Sequence, residues 1–320
     1  MKKNIFNKKL TLKDFANLFG TTVGNIPKDC KDLISKTDFS YKKLEQAKRD
    51  NLILEMFKRI ESGEFSVAGK KKQPRWQSGW QEVLNDFANH DYNVNNLMPQ
   101  YDRKPGAFLR LNSDYVAPKN PMFEMEWLNI FRRWFFKEYL GDVDNIFEFG
   151  CGTGQNLVVL AKLFPKKNLY GSEWVKSSLG IIKLLAKKHN YNIKGHLFDF
   201  FSPDQTLNFP PNTAVLTRAA LEQVGSNHDK FLKFLLKKSP DLVVNIEPII
   251  ELYDENNLID YLGIKFQKKR NYLDGYLSSL YKLKDEGKIE IIKVKRVPFG
   301  SVYLDPYSYV IWKPKRHIKK

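Results

Sequence analysis

Three glycines at alternate positions, Gly150, Gly152 and Gly154, close the run Asn-Ile-Phe-Glu-Phe-Gly-Cys-Gly-Thr-Gly-Gln-Asn at residues 145–156. Glycine at such positions opens backbone angles closed to other residues and lets a ligand lie directly on the main chain. The residues before them, Ile146, Phe147, Glu148 and Phe149, have the length and composition of a buried strand, and residues 157–164 follow as an amphipathic helix. Strand, glycine turn and helix make the first unit of a parallel α/β fold. Two further carboxylates end the next two predicted strands: Glu173 near the close of 168–174, and Asp199, followed by Phe200, after 193–198. A carboxylate at a strand end can accept hydrogen bonds from both hydroxyls of a ribose. These residue types at these places suit a flat, nucleoside-like cofactor.

The spacing chooses between two such cofactors. A dinucleotide fingerprint, G-x-G-x-x-G, would put its third glycine at position 155, where Gln155 stands. Read from Glu148, the run is E-x-G-x-G-x-G, which resembles motif I of the class I S-adenosylmethionine-dependent methyltransferases. The resemblance covers the chain from residue 145 onward and implies a doubly wound, mostly parallel seven-stranded sheet closed by a C-terminal antiparallel hairpin. It also implies S-adenosylmethionine as cofactor. In that family's pattern the acidic residue at the place of Glu173 takes the ribose hydroxyls, and that at the place of Asp199 takes the adenine amino group. The cofactor set implied is Glu148, Gly150, Gly152, Gly154, Asn156, Glu173, Trp174, Asp199, Phe200 and Thr217. The segment Leu221-Glu222-Gln223-Val224 resembles the one that follows the family's fourth strand, with Gln223 where a histidine often stands. The run Asn208-Phe-Pro-Pro211 precedes that strand and lacks a final aromatic residue, which excludes the N-P-P-Y signature of amino-directed DNA methyltransferases.

Methyl transfer from a sulfonium is an in-line displacement with a good leaving group, so holding the acceptor in line supplies much of the catalysis. A hydroxyl acceptor gains a further ~10²–10⁴-fold from a base. Ligands of open α/β sheets sit beyond the carboxyl ends of the strands. Catalytic candidates are therefore Glu247, which ends the fifth strand before Pro248, and Glu222. Trp76, Tyr115, Arg218, Tyr253 and Arg270 are the substrate-binding candidates, the aromatics as pocket walls or core and Arg270 as a partner for a phosphate or carboxylate. The activity expected is O-methylation of a small molecule such as a sugar or natural-product intermediate. An RNA- or protein-directed methyltransferase using the basic ends, and an inactive cofactor-binding subunit, are the alternatives.

Two regions must position these groups. Residues 1–140 read as a helical N-terminal region, a substrate-binding cover, and residues 141–320 as the cofactor domain. In the first region a helix is expected at 12–18. Ser40 is expected to cap a helix running to about residue 60, residues 63–72 form a basic linker, and a helix enters at 74–84. The stretch 93–118 reads as loop with a turn at 101–106, and 121–140 is a strongly apolar helix. The net charge of +17 lies at the two ends: residues 1–72 carry +8 and 264–320 carry +10, while 145–263 carry +1. Such ends can attract nucleic acid, acidic lipid or phosphorylated substrates, but 42 lysines against 11 arginines is also the bias an AT-rich genome alone would produce. Apolar residues make 42% of the chain, enough for a full core, and no apolar run reaches the roughly 18 residues of a membrane span. Two cysteines, Cys30 and Cys151, exclude a disulfide framework, and with no signal-like start the expected location is cytoplasmic.

Overall fold

A computed structural model describes residues 6–99 and 108–315; the turn expected at 101–106 lies outside the described residues. The N-terminal part runs through β1 (Lys8–Lys9), α1 (Leu12–Phe19), α2 (Lys28–Lys36), β2 (Ser40–Lys43), α3 (Gln46–Glu61) and α4 (Gln73–Asn89). It continues through β3 (Leu109–Leu111), β4 (Asp114–Pro118) and α5 (Phe123–Leu140). Thr11 caps α1 in a capping box with Asp14, and Gly20 ends it in the left-handed conformation, which fixes that helix where the sequence expects it.

Two expectations fail here. Ser40 begins strand β2 rather than capping a helix, and the helix starts six residues later. The stretch read as loop contains the hairpin β3–β4, whose Asn112 and Ser113 turn carries positive φ at both residues.

The second part alternates strand and helix: β5 (Asn145–Phe149), α6 (Gln155–Leu163), β6 (Asn168–Glu173), α7 (Lys176–His189) and β7 (Ile193–Leu197). Then come β8 (Thr213–Arg218), α8 (Asp229–Lys238), β9 (Leu242–Ile246), α9 (Leu258–Arg270), α10 (Tyr276–Asp285), β10 (Ile289–Lys295), β11 (Phe299–Gly300) and β12 (Tyr309–Pro314). Their main sheet has the order β10-β12-β9-β8-β5-β6-β7, with β12 alone running against the other six strands. The expected seven-stranded sheet with its closing antiparallel pair is therefore present. Phe299 and Gly300 pair with β3 and complete a second, five-stranded sheet in the order β1-β2-β4-β3-β11.

Period-two alternation sorts the main sheet's side chains between its two faces. Ile146, Ala214, Leu216, Val244 and Ile246 pack with α1, α5, α6 and α7 in one core. Phe147, Phe149, Val215 and Val243 pack with α8 and α10 in another. The first core takes Phe15, Phe19, Trp127, Phe131 and Trp134 from the N-terminal part, and Phe131 and Phe135 meet Tyr309 of β12, so that region is welded to the sheet by aromatic contacts. A buried ion cluster adds a second weld: Arg110 of β3 meets Asp260 at 2.7 Å and Asp305 at 3.1 Å, and Arg296 meets the same two carboxylates at 2.6 and 2.9 Å. Among the described residues no helix is long and apolar enough to cross a membrane.

Candidate active site

The glycine loop joins β5 to α6 at the carboxyl end of the sheet. Gly150, Gly152 and Gly154 take φ of +72°, +54° and +78°, the left-handed region that favours glycine. Packing enforces the choice at two of them. A Cβ on Gly150 would stand 2.3 Å from the Cβ of Ala220, and one on Gly154 would stand 2.9 Å from Ile182 Cδ1. Gly152 faces open space as far as Trp80, whose ring would lie 3.3 Å from an added Cβ.

Two adjoining compartments open over this loop, and Trp76, Trp80, Gly150, Gly152 and Ala219 line both. The first holds about 520 Å³ and is walled mainly by Trp174, Phe198, Phe200, Phe201 and Val224, with Glu173 at its edge. The second is polar, with Glu148, Thr153, Gln155, Asn156 and Arg218.

Strand parity explains the membership of the polar compartment. Glu148 shares a sheet face with Ile146, toward α5, and its partner in β8 is Leu216, so Arg218 falls on that face too. Glu148 Oε1 accepts from Asn156 Nδ2 at 2.6 Å, and Asn156 Oδ1 accepts from Arg132 of α5 at 3.3 Å. Burial raises Glu148 to about 7 against the pull of Arg218 and Arg132. Burial, and then Arg218, lower Arg132 to about 9.

At the other compartment, Glu173 Oε2 accepts the N–H of Gly152 at 3.2 Å and Oε1 that of Trp174 at 2.7 Å. Burial moves its carboxyl up to about 7. Each oxygen keeps a lone pair for a ligand hydroxyl. Helix α4 is tied across this end of the sheet, since Gln73 Nε2 donates to the Trp174 carbonyl at 3.0 Å and Ser177 Oγ donates to that of Gln77 at 3.0 Å. That places Trp76 and Trp80, one turn apart and with rings 5.2 Å apart, over the glycine loop.

Other candidates lie elsewhere. Glu247 is fully buried and lines neither compartment; its carboxylate caps the turn after β8. It accepts from the backbone N–H groups of Ala220, Leu221 and Glu222 at 3.1–3.3 Å and from Thr217. Thr217, on the face opposite Arg218, is buried with Asn245 at 3.0 Å. Tyr115 is core, its hydroxyl donating to the Val302 carbonyl at 2.9 Å. Tyr253 accepts the N–H of Asp305 at 2.6 Å inside the ion cluster. Asp199 Oδ1 accepts the N–H of Phe201 at 2.8 Å, forming its own turn, while the flanking Phe198, Phe200 and Phe201 wall the aromatic compartment. Gly154 serves helix packing rather than the pocket surface.

Glu222, by contrast, is buried beside the pocket residue Gln223, which donates to it at 2.9 Å. Burial and then Glu247 push it up to about 8, and Arg270 and Arg218 oppose the shift. The sequence reading does not select Arg132, Ala219, Ala220, Phe201 or Gln223 as site residues, while Trp80, like Trp76, reads from sequence as either pocket wall or core.

The sheet order, the last antiparallel strand and the glycine loop after the first strand together set the family likeness. The chain resembles the class I methyltransferases. No family model matches it. The tRNA (guanine-N(7)-)-methyltransferase of Buchnera aphidicola subsp. Schizaphis graminum is 31% identical over 111 residues, 31% of this chain and 46% of the relative. The match thus spans less than half of that relative's length. Similar solved structures include the O-methyltransferase NcsB1 from neocarzinostatin biosynthesis, at 12% identity and TM-score 0.41, covering 76% of this chain and 70% of that one. The 16S rRNA methylase ArmA aligns at 13% identity and TM-score 0.42, over 74% of this chain and 98% of its own.

Proposed function

We propose that the chain is an S-adenosylmethionine-dependent methyltransferase that methylates a hydroxyl group of a small molecule. The observation that carries this reading is the glycine loop itself: three left-handed glycines under an aromatic compartment and a polar one, with Glu173 between the aromatic wall and the loop. The residues fit the cofactor. Phe198, Phe200, Phe201 and Trp174 suit a flat adenine ring, Glu173 has lone pairs for two ribose hydroxyls, and Glu148, Asn156 and Arg218 offer both charges to an amino-acid end. When bound, the cofactor supplies an electrophilic methyl group.

The chain's own part is positioning and proton handling. Trp76 and Trp80 close the loop from above and exclude water from the junction of the two compartments. Glu222 is the base candidate, because it is buried beside the pocket and its elevated proton affinity suits taking a proton from a hydroxyl near neutral pH. Glu247 keeps the turn that presents Glu222. In this reading residues 1–140 act as the cover and 141–320 as the cofactor domain, with α4 reaching over to complete the cofactor pocket. Calorimetric titration tests the proposal: S-adenosylmethionine and S-adenosylhomocysteine should bind with micromolar affinity and NAD should not. Equal binding of NAD, or no binding of either adenosyl compound, would overturn it.

A second reading draws on the matched tRNA methyltransferase and on Lys70, Lys71 and Lys72 just before α4. A guanine N7 acceptor carries a free lone pair and needs no base. Labelled methyl groups entering total RNA rather than a metabolite extract would favour it.

A further inference from the structure

The two compartments share five wall residues, Trp76, Trp80, Gly150, Gly152 and Ala219, and none of the five is charged. Glu173 borders only the aromatic compartment and Glu148 only the polar one. Both carboxylates are engaged there: Glu173 accepts the N–H groups of Gly152 and Trp174, and Glu148 accepts from Asn156. The junction is thus a neck with a glycine floor and an indole roof. Trp80 is buried, and its ring would lie 3.3 Å from a Cβ on Gly152. Helix α4 is anchored along its length. Gln73 and Gln77 bond the corner at Trp174 and Ser177, Leu84 packs where a Cβ on Gly180 would stand 2.9 Å from its Cδ2, and Phe87 stacks on His189 at 6.2 Å between ring centres. The two tryptophans are therefore held over the glycine loop by the protein itself.

In the cofactor reading the adenosine takes the aromatic compartment and the amino-acid end takes the polar one. The atom that joins those two parts is the sulfonium, and the place in the protein that joins the two compartments is this neck. A sulfonium carries a full positive charge and no N–H or O–H, so it donates no ordinary hydrogen bond. What attracts such a cation is negative charge or the electron-rich face of an aromatic ring, as with quaternary ammonium ligands. The neck offers rings and no carboxylate. Tryptophan attracts cations best among the aromatic side chains, and exclusion of water strengthens the attraction.

Resting on the methyltransferase reading, we propose that Trp76 and Trp80 are cofactor-binding residues that recognise the positive charge of the sulfonium. Trp76 then serves the cofactor rather than the acceptor. The charge leaves with the methyl group, so the same rings hold the cofactor more tightly than its neutral thioether product. That difference favours replacement of spent by fresh cofactor after each turnover.

The test is calorimetric titration of the full chain with three compounds: S-adenosylmethionine, the neutral S-adenosylhomocysteine, and a nitrogen analogue whose protonated amine stands in place of the sulfonium. The parent should bind the two cations about fivefold or more tighter than the neutral compound. In Trp76→Leu and Trp80→Leu, which keep an apolar contact but remove the ring face, that ratio should fall toward one, and Trp80→Phe should keep part of it. The ratio compares ligands on the same folded variant, so a general loss of affinity does not enter it. If Trp80→Leu does not fold, Trp76→Leu, at a half-buried position, carries the comparison. Failure of all three compounds to bind the parent would defeat the cofactor reading itself. Equal or tighter binding of the neutral compound by the parent, a ratio that survives the leucine variants, or a nitrogen analogue that binds like the neutral compound would overturn the sulfonium proposal alone.

Discussion

Replacing Gly150 and Gly152 by alanine separates the two tasks of the glycine loop. At Gly150 the added methyl must adopt φ near +72° and stand 2.3 Å from the Cβ of Ala220, with Phe200 Cε2 at 3.4 Å. The left-handed conformation costs an alanine about 1–2 kcal/mol. The Ala220 methyl has no rotamer to escape into, so the turn after β8 must shift, at an overpacking cost of about 1–3 kcal/mol. Gly150→Ala should therefore lose roughly 2–5 kcal/mol of stability, a large part of the ~5–15 kcal/mol typical of a domain. Gly152→Ala carries a similar backbone cost, but its neighbour is the tip of the Trp80 ring at 3.3 Å, which can tilt away. That variant should stay folded with a loss near 1–2 kcal/mol and should bind S-adenosylmethionine at least tenfold more weakly, since the methyl stands on the floor shared by both compartments. Urea unfolding gives the first quantity and calorimetric titration of the folded proteins the second. A Gly150→Ala midpoint equal to that of the parent would refute the close approach to Ala220. Parent-like affinity in Gly152→Ala would refute a ligand lying on the loop.

Four buried carboxyl groups, Glu148, Glu173, Glu222 and Glu247, have folded proton affinities raised by burial to about 7, 7, 8 and 7. Raised values mean the folded state holds protons that the unfolded chain has released, so their contribution is full below about pH 4.3 and is lost as pH rises through 7–8. The ligand-free melting temperature should accordingly fall between pH 5.5 and 8.5, and Glu222→Gln should flatten that slope; a rising melting temperature would contradict the sign. Glu247→Gln should cost about 1–3 kcal/mol, because its amide puts an N–H₂ donor where one carboxylate oxygen accepts backbone N–H groups. Its mark is a lower unfolding midpoint, and an unchanged midpoint with depressed kcat would restore Glu247 as a catalytic group. Arg110→Met should lower stability by about 3–5 kcal/mol, because Asp260 and Asp305 would then share Arg296 alone, whereas Arg49→Met at the surface should cost under 1 kcal/mol. Denaturant midpoints of the two variants decide whether burial sets the difference.

The main sheet was legible because its signals are local. The central strands β5, β8 and β9 are short, mostly apolar runs, and the helices between them keep their own periodicity. The second sheet was not, since β3 holds three residues and its partner β11 lies nearly 190 positions later. Its hairpin partner β4 lies within a few residues, but the other edge of β3 is paired from the far end of the chain. The same distance hid the ion cluster, where Arg110 meets carboxylates from two later segments. Tyr115 and Tyr253 look like pocket aromatics by type alone, yet each spends its hydroxyl on a backbone group of the segment Val302–Asp305.

Side-chain direction at the strand ends was the other unread quantity, and it obeys a rule the sequence does contain. In a parallel pair, residues on one sheet face share parity along each strand. Glu148 pairs with Leu216, so Arg218 belongs to the face of Glu148 and Thr217 to the face of Asn245. Arg218 thus enters the polar compartment, while Thr217 turns under the sheet and meets Glu247 there. Ending a strand places a residue at the right end of the sheet but on either face, and Glu247 shares its face with Thr217 and Asn245. Its burial is still tied to the site. By gathering the N–H groups of Ala220, Leu221 and Glu222, it fixes the turn that packs Ala220 against Gly150 and keeps Glu222 beside Gln223. The glycine at 150 and the glutamate at 247 are therefore two halves of one contact, and a change at either reaches the pocket through Ala220.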